Sequence, residues 1–162
     1  MVKKSAAELH AAWTEYNAWL KNRPPQGWEG MRFDVDGPEA IRPDIIETFP
    51  YWYSGSNAVI TIQTDEFLSV CPWSGLPDFA QLTIEYIPNE KCIELKSLKY
   101  YLYTWRNVGM YYEHIINKLL QDLVEVADPV WMRIKGEFNV RGGLGTQAEI
   151  EYGVRDVEAR DL

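Results

Sequence analysis

The sequence predicts an α+β fold in one domain, residues 1–162: a four-stranded antiparallel sheet with two antiparallel helices on one face. Three observations predict it. Two pairs of runs alternate apolar and polar residues with the period of a half-buried strand, 57–70 with 81–87 and 131–140 with 148–152. Between the pairs, 94–106 and 111–127 carry apolar residues at helical spacing. Breakers separate the runs: Pro88-Asn89-Glu90, Asn107-Val108-Gly109, Asp128-Pro129 and Arg141-Gly142-Gly143-Leu144-Gly145.

Each element has its own signal. Ser5-Ala6-Ala7-Glu8 has capping-box spacing, and Leu9, Trp13, Tyr16 and Leu20 then share a helical face until Arg23-Pro24-Pro25 ends the helix. Residues 26–56 are irregular and rich in proline and aromatics (Trp28, Phe33, Phe49, Tyr51, Trp52, Tyr53), which suits a segment that wraps a surface. In the first strand Ile60, Ile62, Leu68 and Val70 are in phase, with Thr64 and Glu66 interrupting that face; in the second, Leu82, Ile84 and Tyr86 alternate with Thr83 and Glu85. Leu95, Leu98, Leu102 and Trp105 mark the first core helix, and Tyr112, Ile116, Leu119, Leu120 and Leu123 the second. Met132, Ile134, Phe138 and Val140 point inward on the third strand, and Ala148, Ile150 and Tyr152 alternate on the fourth. The helix and wrap thus occupy 1–56, the sheet and helix pair 57–153, and a charged, frayed tail 154–162. Four strands leave two open sheet edges, which assembly of subunits would cover.

Composition narrows the function classes. A chain of 162 residues buries a core without staples, and a formal charge of -8 argues against nucleic-acid binding, which wants a basic face. Two cysteines, Cys71 and Cys92, are too few for a disulfide framework and fit a reducing compartment. With His10 and His114 they show no metal-ligand spacing, so no metal site is expected. No apolar run is long enough for a membrane helix or a signal-peptide core, so a cytoplasmic location is expected.

The chemistry concentrates in Ser69-Val70-Cys71-Pro72-Trp73-Ser74-Gly75-Leu76-Pro77-Asp78-Phe79-Ala80, read as the loop of the first hairpin. Pro72, Gly75 and Pro77 restrict its backbone. A cysteine and an aspartate seven residues apart on a shaped loop offer a nucleophile with a proton carrier at hand. The same residues also fit a buried structural cysteine beside a turn-forming aspartate, and the loop alone leaves both readings open.

Three motifs carry a resemblance. The segment Cys71-Pro72 to Pro77-Asp78-Phe79-Ala80, the run Glu94-Leu95-Lys96-Ser97-Leu98-Lys99-Tyr100-Tyr101 and the turn Arg141-Gly142-Gly143 occur in the order of the corresponding motifs in the 7-cyano-7-deazaguanine reductases, the nitrile reductases of queuosine biosynthesis. The ββααββ order likewise resembles the tunneling fold of those enzymes and of the GTP cyclohydrolases, whose subunits join sheets edge to edge. The resemblance implies Cys71 as the nucleophile that forms a covalent thioimide with the nitrile, and Asp78 as the acid/base. It implies Glu113 and Tyr112 at the deazaguanine ring, and NADPH against Glu94, Leu95, Lys96, Ser97, Lys99, Tyr100, Arg141 and Gly142. The helix is implied in place of a Rossmann crevice, since no glycine-rich fingerprint follows a strand. It further implies a small-molecule nitrile substrate and a homo-oligomer with sites at subunit interfaces. Many relatives carry histidine where this chain has Tyr112. His114 is about 100° further round the helix from Glu113 and is no obvious substitute. The alternatives are a non-catalytic module for a purine-like ligand, or an amidinotransferase acting on the nitrile base in tRNA.

Overall fold

The structure, a computed structural model, describes residues 30–155 and, before them, positions 11, 14, 15, 18, 19, 22, 27 and 28. The chain divides between Met31 and Arg32 into two compact units. In the first, the described positions 11, 14, 15, 18, 19 and 22 are helical. The expected capping box at Ser5 and the stripe of Leu9, Trp13, Tyr16 and Leu20 lie outside the described residues, as does the tail from 156 onward.

Among the described residues, the second unit holds six strands and two α-helices: β1 (Thr48–Pro50), β2 (Ile60–Val70), β3 (Pro77–Ile87), β4 (Lys91–Ile93), α1 (Leu95–Thr104), α2 (Tyr112–Ala127), β5 (Trp131–Arg141) and β6 (Leu144–Gly153). The main sheet is antiparallel in the order β2-β3-β5-β6, the two hairpins that the alternation predicts, joined by β3 against β5. Its inner face supplies Leu82, Ile84, Tyr86, Met132, Ile134 and Phe138 to one core with Leu98 and Trp105 from the first helical region and Ile116, Leu119 and Leu123 from α2. On the outer face polar residues pair across strands, Gln63 with Thr83 and Arg133 with Glu85 and Glu149. Among the described residues, no helix is long and apolar enough to cross a membrane.

Part of the irregular stretch is ordered. β1 pairs antiparallel with β4 in a two-stranded sheet that the sequence reading misses, because each strand is three residues and too short to show a period. Ile41 and Ile46 enter the core, the latter just after a 3₁₀ turn that opens at Pro43. Further upstream, the amide of Asp36 donates to the carbonyl of Asn107 at 2.8 Å, and Gly109 donates back to Asp36 at 3.0 Å.

Two apolar strand positions expected inside do not face the core, and the cause is the same for both. The β2–β3 register slips between Thr64 and Phe67: residues 65 and 66 oppose the single residue 81. This β-bulge inverts the phase, so Phe67 and Ser69 are buried and Leu68 turns away. The β5–β6 register slips in the same way between Phe138 and Arg141. Val140, expected inward, is 68% exposed, and Arg141 takes the inner side instead. Bulges of this kind re-aim a strand's last side chains, and both lie at the end of the sheet that carries the Cys71 loop.

A buried polar network ties the helices together. The Tyr101 hydroxyl donates to Asp122 at 2.7 Å, Lys118 pairs with the same carboxylate, and both Tyr101 and Asp122 are buried. Burial and the adjacent Asp122 hold the Tyr101 phenol well above its usual range, so it stays a donor. Tyr101→Phe leaves one buried carboxylate oxygen short of a partner. It is expected to lower unfolding stability in urea by about 1–3 kcal/mol without changing the fold.

Candidate active site

The hairpin loop is shorter than the sequence suggests. Pro77, Asp78, Phe79 and Ala80 belong to β3, with Pro77 opposite Val70 and Asp78 opposite Ser69. Pro77 reads as a breaker but opens the strand, where a missing N–H is tolerated. The loop is therefore 71–76, and it closes on itself: the Cys71 amide donates to Leu76 O at 2.9 Å and the Gly75 amide to Cys71 O at 2.8 Å. Gly75 has φ +72°, and a Cβ there would stand 2.6 Å from Phe33 O. Only glycine fits, because both the backbone angle and the space forbid a side chain.

The loop is braced from the upstream segment. The Phe33 amide donates to Ser74 O at 3.0 Å, and the Arg32 guanidinium lies 3.7 Å over the Trp73 ring. On its other side the Val70 amide donates to Val108 O at 3.1 Å.

The Cys71 thiol is half-buried. Burial raises its pKa, but hydrogen bonds from the Ser74 hydroxyl, the Ser74 and Trp73 amides and the Arg141 guanidinium outweigh burial and bring it down to about 7. A large thiolate fraction is then present at neutral pH.

Asp78 is 4% exposed, which demands partners for its charge. Its Oδ1 accepts from the Tyr112 hydroxyl at 2.7 Å and pairs with Arg141 Nε at 2.8 Å. Arg141 Nη2 donates to the carbonyls of Leu76 at 3.3 Å and Pro77 at 3.2 Å. The Tyr112 ring stacks on Phe138 at 3.9 Å between centroids and 16° between planes. Burial and then the Asp78 charge push the Tyr112 phenol up to about 12, so it remains a hydrogen-bond donor through the neutral range. Cys71, Asp78, Tyr112 and Arg141 thus form one cluster, drawn from a loop, a strand, the first residue of α2 and the last of β5.

Glu113 is exposed in the first turn of α2, beside Tyr112 in sequence, and its carboxylate has no partner among the described residues. A carboxylate there is favoured by the helix N-terminus and free to accept from a ligand. Gly142, at φ +56°, and Gly143, at φ +83°, make the tight turn of the last hairpin.

The residues of the 94–101 motif form a second group. Glu94 caps α1, its two oxygens accepting from the Lys96 and Ser97 amides at 2.9 and 2.7 Å, and these bonds hold its carboxyl below the usual range. Ser97 Oγ donates to Glu94 O and accepts from the Glu47 amide. Leu95, Lys96, Lys99 and Tyr100 remain on the surface, lining a groove of about 1080 Å³ between α1 and β2 with Tyr103 and Arg106. Lys99 crosses to Glu66, in the β2 bulge, at 2.8 Å. Cys71, Asp78, Tyr112, Glu113 and Arg141 do not line this groove. The groove suits a dinucleotide: it is large and mostly apolar, and Lys96, Lys99 and Arg106 offer charge to phosphates.

Sequence reasoning misses Arg32, Phe33, Ser74 and Phe138 as supports of the site. Phe33 acts through its backbone and Phe138 through a ring contact 26 positions from its partner, and neither leaves a local signal. It singles out Arg141, but for the cofactor and not for Asp78.

The family described as QueF-like protein matches residues 77–156. The chain is 50% identical over 125 residues to the NADPH-dependent 7-cyano-7-deazaguanine reductase of Caldicellulosiruptor bescii, covering 77% of this chain and 95% of that one. It is 53% identical over 125 residues to the enzyme of the same name from Caldanaerobacter subterraneus subsp. tengcongensis, covering 77% and 93%. In fold it is similar to the crystal structure of the archaeosine synthase QueF-Like in the apo form, with a TM-score of 0.57, 21% identity and coverage of 61% of this chain and 97% of that one.

The Cys71 environment has a direct readout. Alkylation of Cys71 by iodoacetamide should rise with pH through a midpoint of about 7 rather than the usual thiol value of about 8.5. Mass spectrometry of the modified peptide measures it, and a midpoint at the ordinary thiol value would contradict the hydrogen-bonding scheme around the sulfur.

Proposed function

We propose, from the premise that this chain belongs to the QueF-like family of NADPH-dependent 7-cyano-7-deazaguanine reductases, that it reduces the nitrile of 7-cyano-7-deazaguanine to the primary amine of 7-aminomethyl-7-deazaguanine in queuosine biosynthesis. The observation that carries the reading is an acidified cysteine thiol and a buried carboxylate held on one guanidinium.

Chemistry and geometry suit each other. A nitrile carbon is a modest electrophile, and a thiol near its reference value is only a few per cent ionised at neutral pH. A Cys71 held near 7 supplies the nucleophile. The sulfur adds to the nitrile carbon, a π pair moves to nitrogen, and the proton that left the thiol reaches that nitrogen through Asp78. The product is a thioimide on Cys71, with S–H added across the triple bond. Bound NADPH supplies hydride, and a nitrile needs two equivalents to become an amine. Between the reductions the C–S bond breaks, the sulfur leaves as thiolate, and Asp78 again holds and passes protons. Tyr112, which stays protonated, keeps the carboxylate oriented. A guanine-like ring presents adjacent N–H and NH₂ donors, which the unpartnered Glu113 carboxylate can accept together.

Lys96, Lys99, Leu95 and Tyr100 on α1 would hold the dinucleotide, with Glu94 and Ser97 shaping the helix end behind them. Arg141 and Gly142, which do not line the groove between α1 and β2 within one chain, would meet the cofactor where a neighbouring subunit's groove faces the last hairpin turn. The exposed edges β2 and β6, with the exposed Trp52, Tyr53, Val140 and Leu144, favour a homo-oligomer, and the charge of -8 favours a free base over a nucleic acid as substrate. A place of work in the cytoplasm completes the reading.

NADPH consumption followed by absorbance should give two NADPH oxidised per amine formed. Cys71→Ala should abolish both turnover and the covalent adduct seen by mass spectrometry after incubation with the nitrile; retained turnover would refute the nucleophile. Asp78→Asn should cost about 10²-fold or more in kcat. Glu113→Gln should raise KM for the nitrile about tenfold or more with a smaller effect on NADPH.

A further inference from the structure

We propose that Arg141 is the positioning residue of the site: its guanidinium fastens the closing end of the cysteine loop to the buried carboxylate, so that Cys71 and Asp78 are presented as one unit. This deepens the reading of Cys71 as nucleophile and Asp78 as proton carrier, and rests on it.

The argument begins with the strand. A regular β5 would turn Val140 inward and leave Arg141 on the outer face. The bulge between Phe138 and Arg141 reverses this, exposing Val140 and delivering the guanidinium to Asp78. Burying a carboxylate on an inner sheet face is costly without a counter-charge, and Arg141 is the cation that pairs with it among the described residues. The fork is used across two structures at once. Nε goes to the strand-borne carboxylate, and Nη2 goes to the carbonyls of Leu76 and Pro77, where loop 71–76 rejoins β3. Leu76 O in turn accepts from the Cys71 amide. The chain of contacts therefore runs from carboxylate to guanidinium, to loop carbonyl, to the backbone of the nucleophile. A lysine cannot reproduce it, because one ammonium lacks a planar fork.

The positive charge also lies beside both groups that carry negative charge in the reaction, and it holds the thiol down directly. The guanidinium keeps all its protons and exchanges none. Beyond Nε on Asp78 and Nη2 on the loop carbonyls, the guanidinium also donates to the Cys71 thiol, so one side chain reaches both reacting groups and the loop between them.

The alkylation arm of the test uses the full chain without nitrile or NADPH, so its outcome is independent of whether the nitrile is the substrate. Alkylation of Cys71 by iodoacetamide is measured against pH for the wild type, Arg141→Gln and Arg141→Lys, with Cys71→Ala giving the Cys92 background. For Arg141→Gln the midpoint should rise by about one pH unit or more, slowing alkylation at neutral pH about fivefold or more. Arg141→Lys, which keeps a charge for folding, should shift the midpoint less. In turnover it should still lose about tenfold or more in kcat, with KM for NADPH changed less than about threefold. An unchanged midpoint in Arg141→Gln, or an Arg141→Lys enzyme with wild-type kcat and a raised KM for NADPH, would assign Arg141 to the cofactor alone and overturn the proposal. A midpoint shift in Arg141→Gln, together with a wild-type protein that does not turn over the nitrile, would sink the functional reading and leave this one standing.

Discussion

A carboxylate removed from water at the end of a sheet sets the terms for this molecule. Asp78 can occupy its position only because two donors from distant parts of the chain converge on one of its oxygens. Tyr112 comes from the first turn of α2, which fixes where that helix begins relative to β3. Arg141 comes from the end of β5, which fixes how the last hairpin turns. The helix pair, the sheet and the loop are thereby referenced to one atom, and the thiol of the same loop sits in the field they create.

Two bulges make that convergence possible. A strand of strict alternation delivers every second side chain to the core, so the helix face of β2 would end in Leu68 and that of β5 in Val140. One extra residue in each strand moves the inward role to Phe67 and Ser69 in β2 and to Arg141 in β5. The β2 bulge also places Glu66 where Lys99 of α1 reaches it, at the mouth of the groove suited to a dinucleotide. Irregularities that weaken a ladder locally are spent here on aiming functional groups.

Much of this was legible in the residues themselves. The two hairpins and the helix pair follow from the periods at 60–70, 82–86, 94–106, 111–127 and 131–140, because burial on one face imposes the period that the eye reads. The cysteine loop was visible as Cys71 among Pro72, Gly75 and Pro77, and the 94–101 motif as a helix start with Glu94 at its cap. The phase of the ends was not legible. A bulge shifts register through pairing with a neighbouring strand, and nothing in Thr64, Asp65 and Glu66 or in Asn139 and Val140 announces it alone. β1 and β4 were hidden for a related reason, each existing only because the other lies beside it.

By itself, then, the sequence determined the order and kind of the main elements and the residue types available for chemistry, since these are local properties of spacing and side-chain character. Tertiary structure alone decided which of those residues meet. It took Asp78 out of the loop and into a strand, gave Arg141 to Asp78 and to the cysteine loop, stacked Tyr112 on Phe138, and laid Phe33 along Ser74. The reason is physical: such partners lie tens of residues apart, and only the packing of a sheet against helices brings a buried charge and its counter-charge within bonding distance.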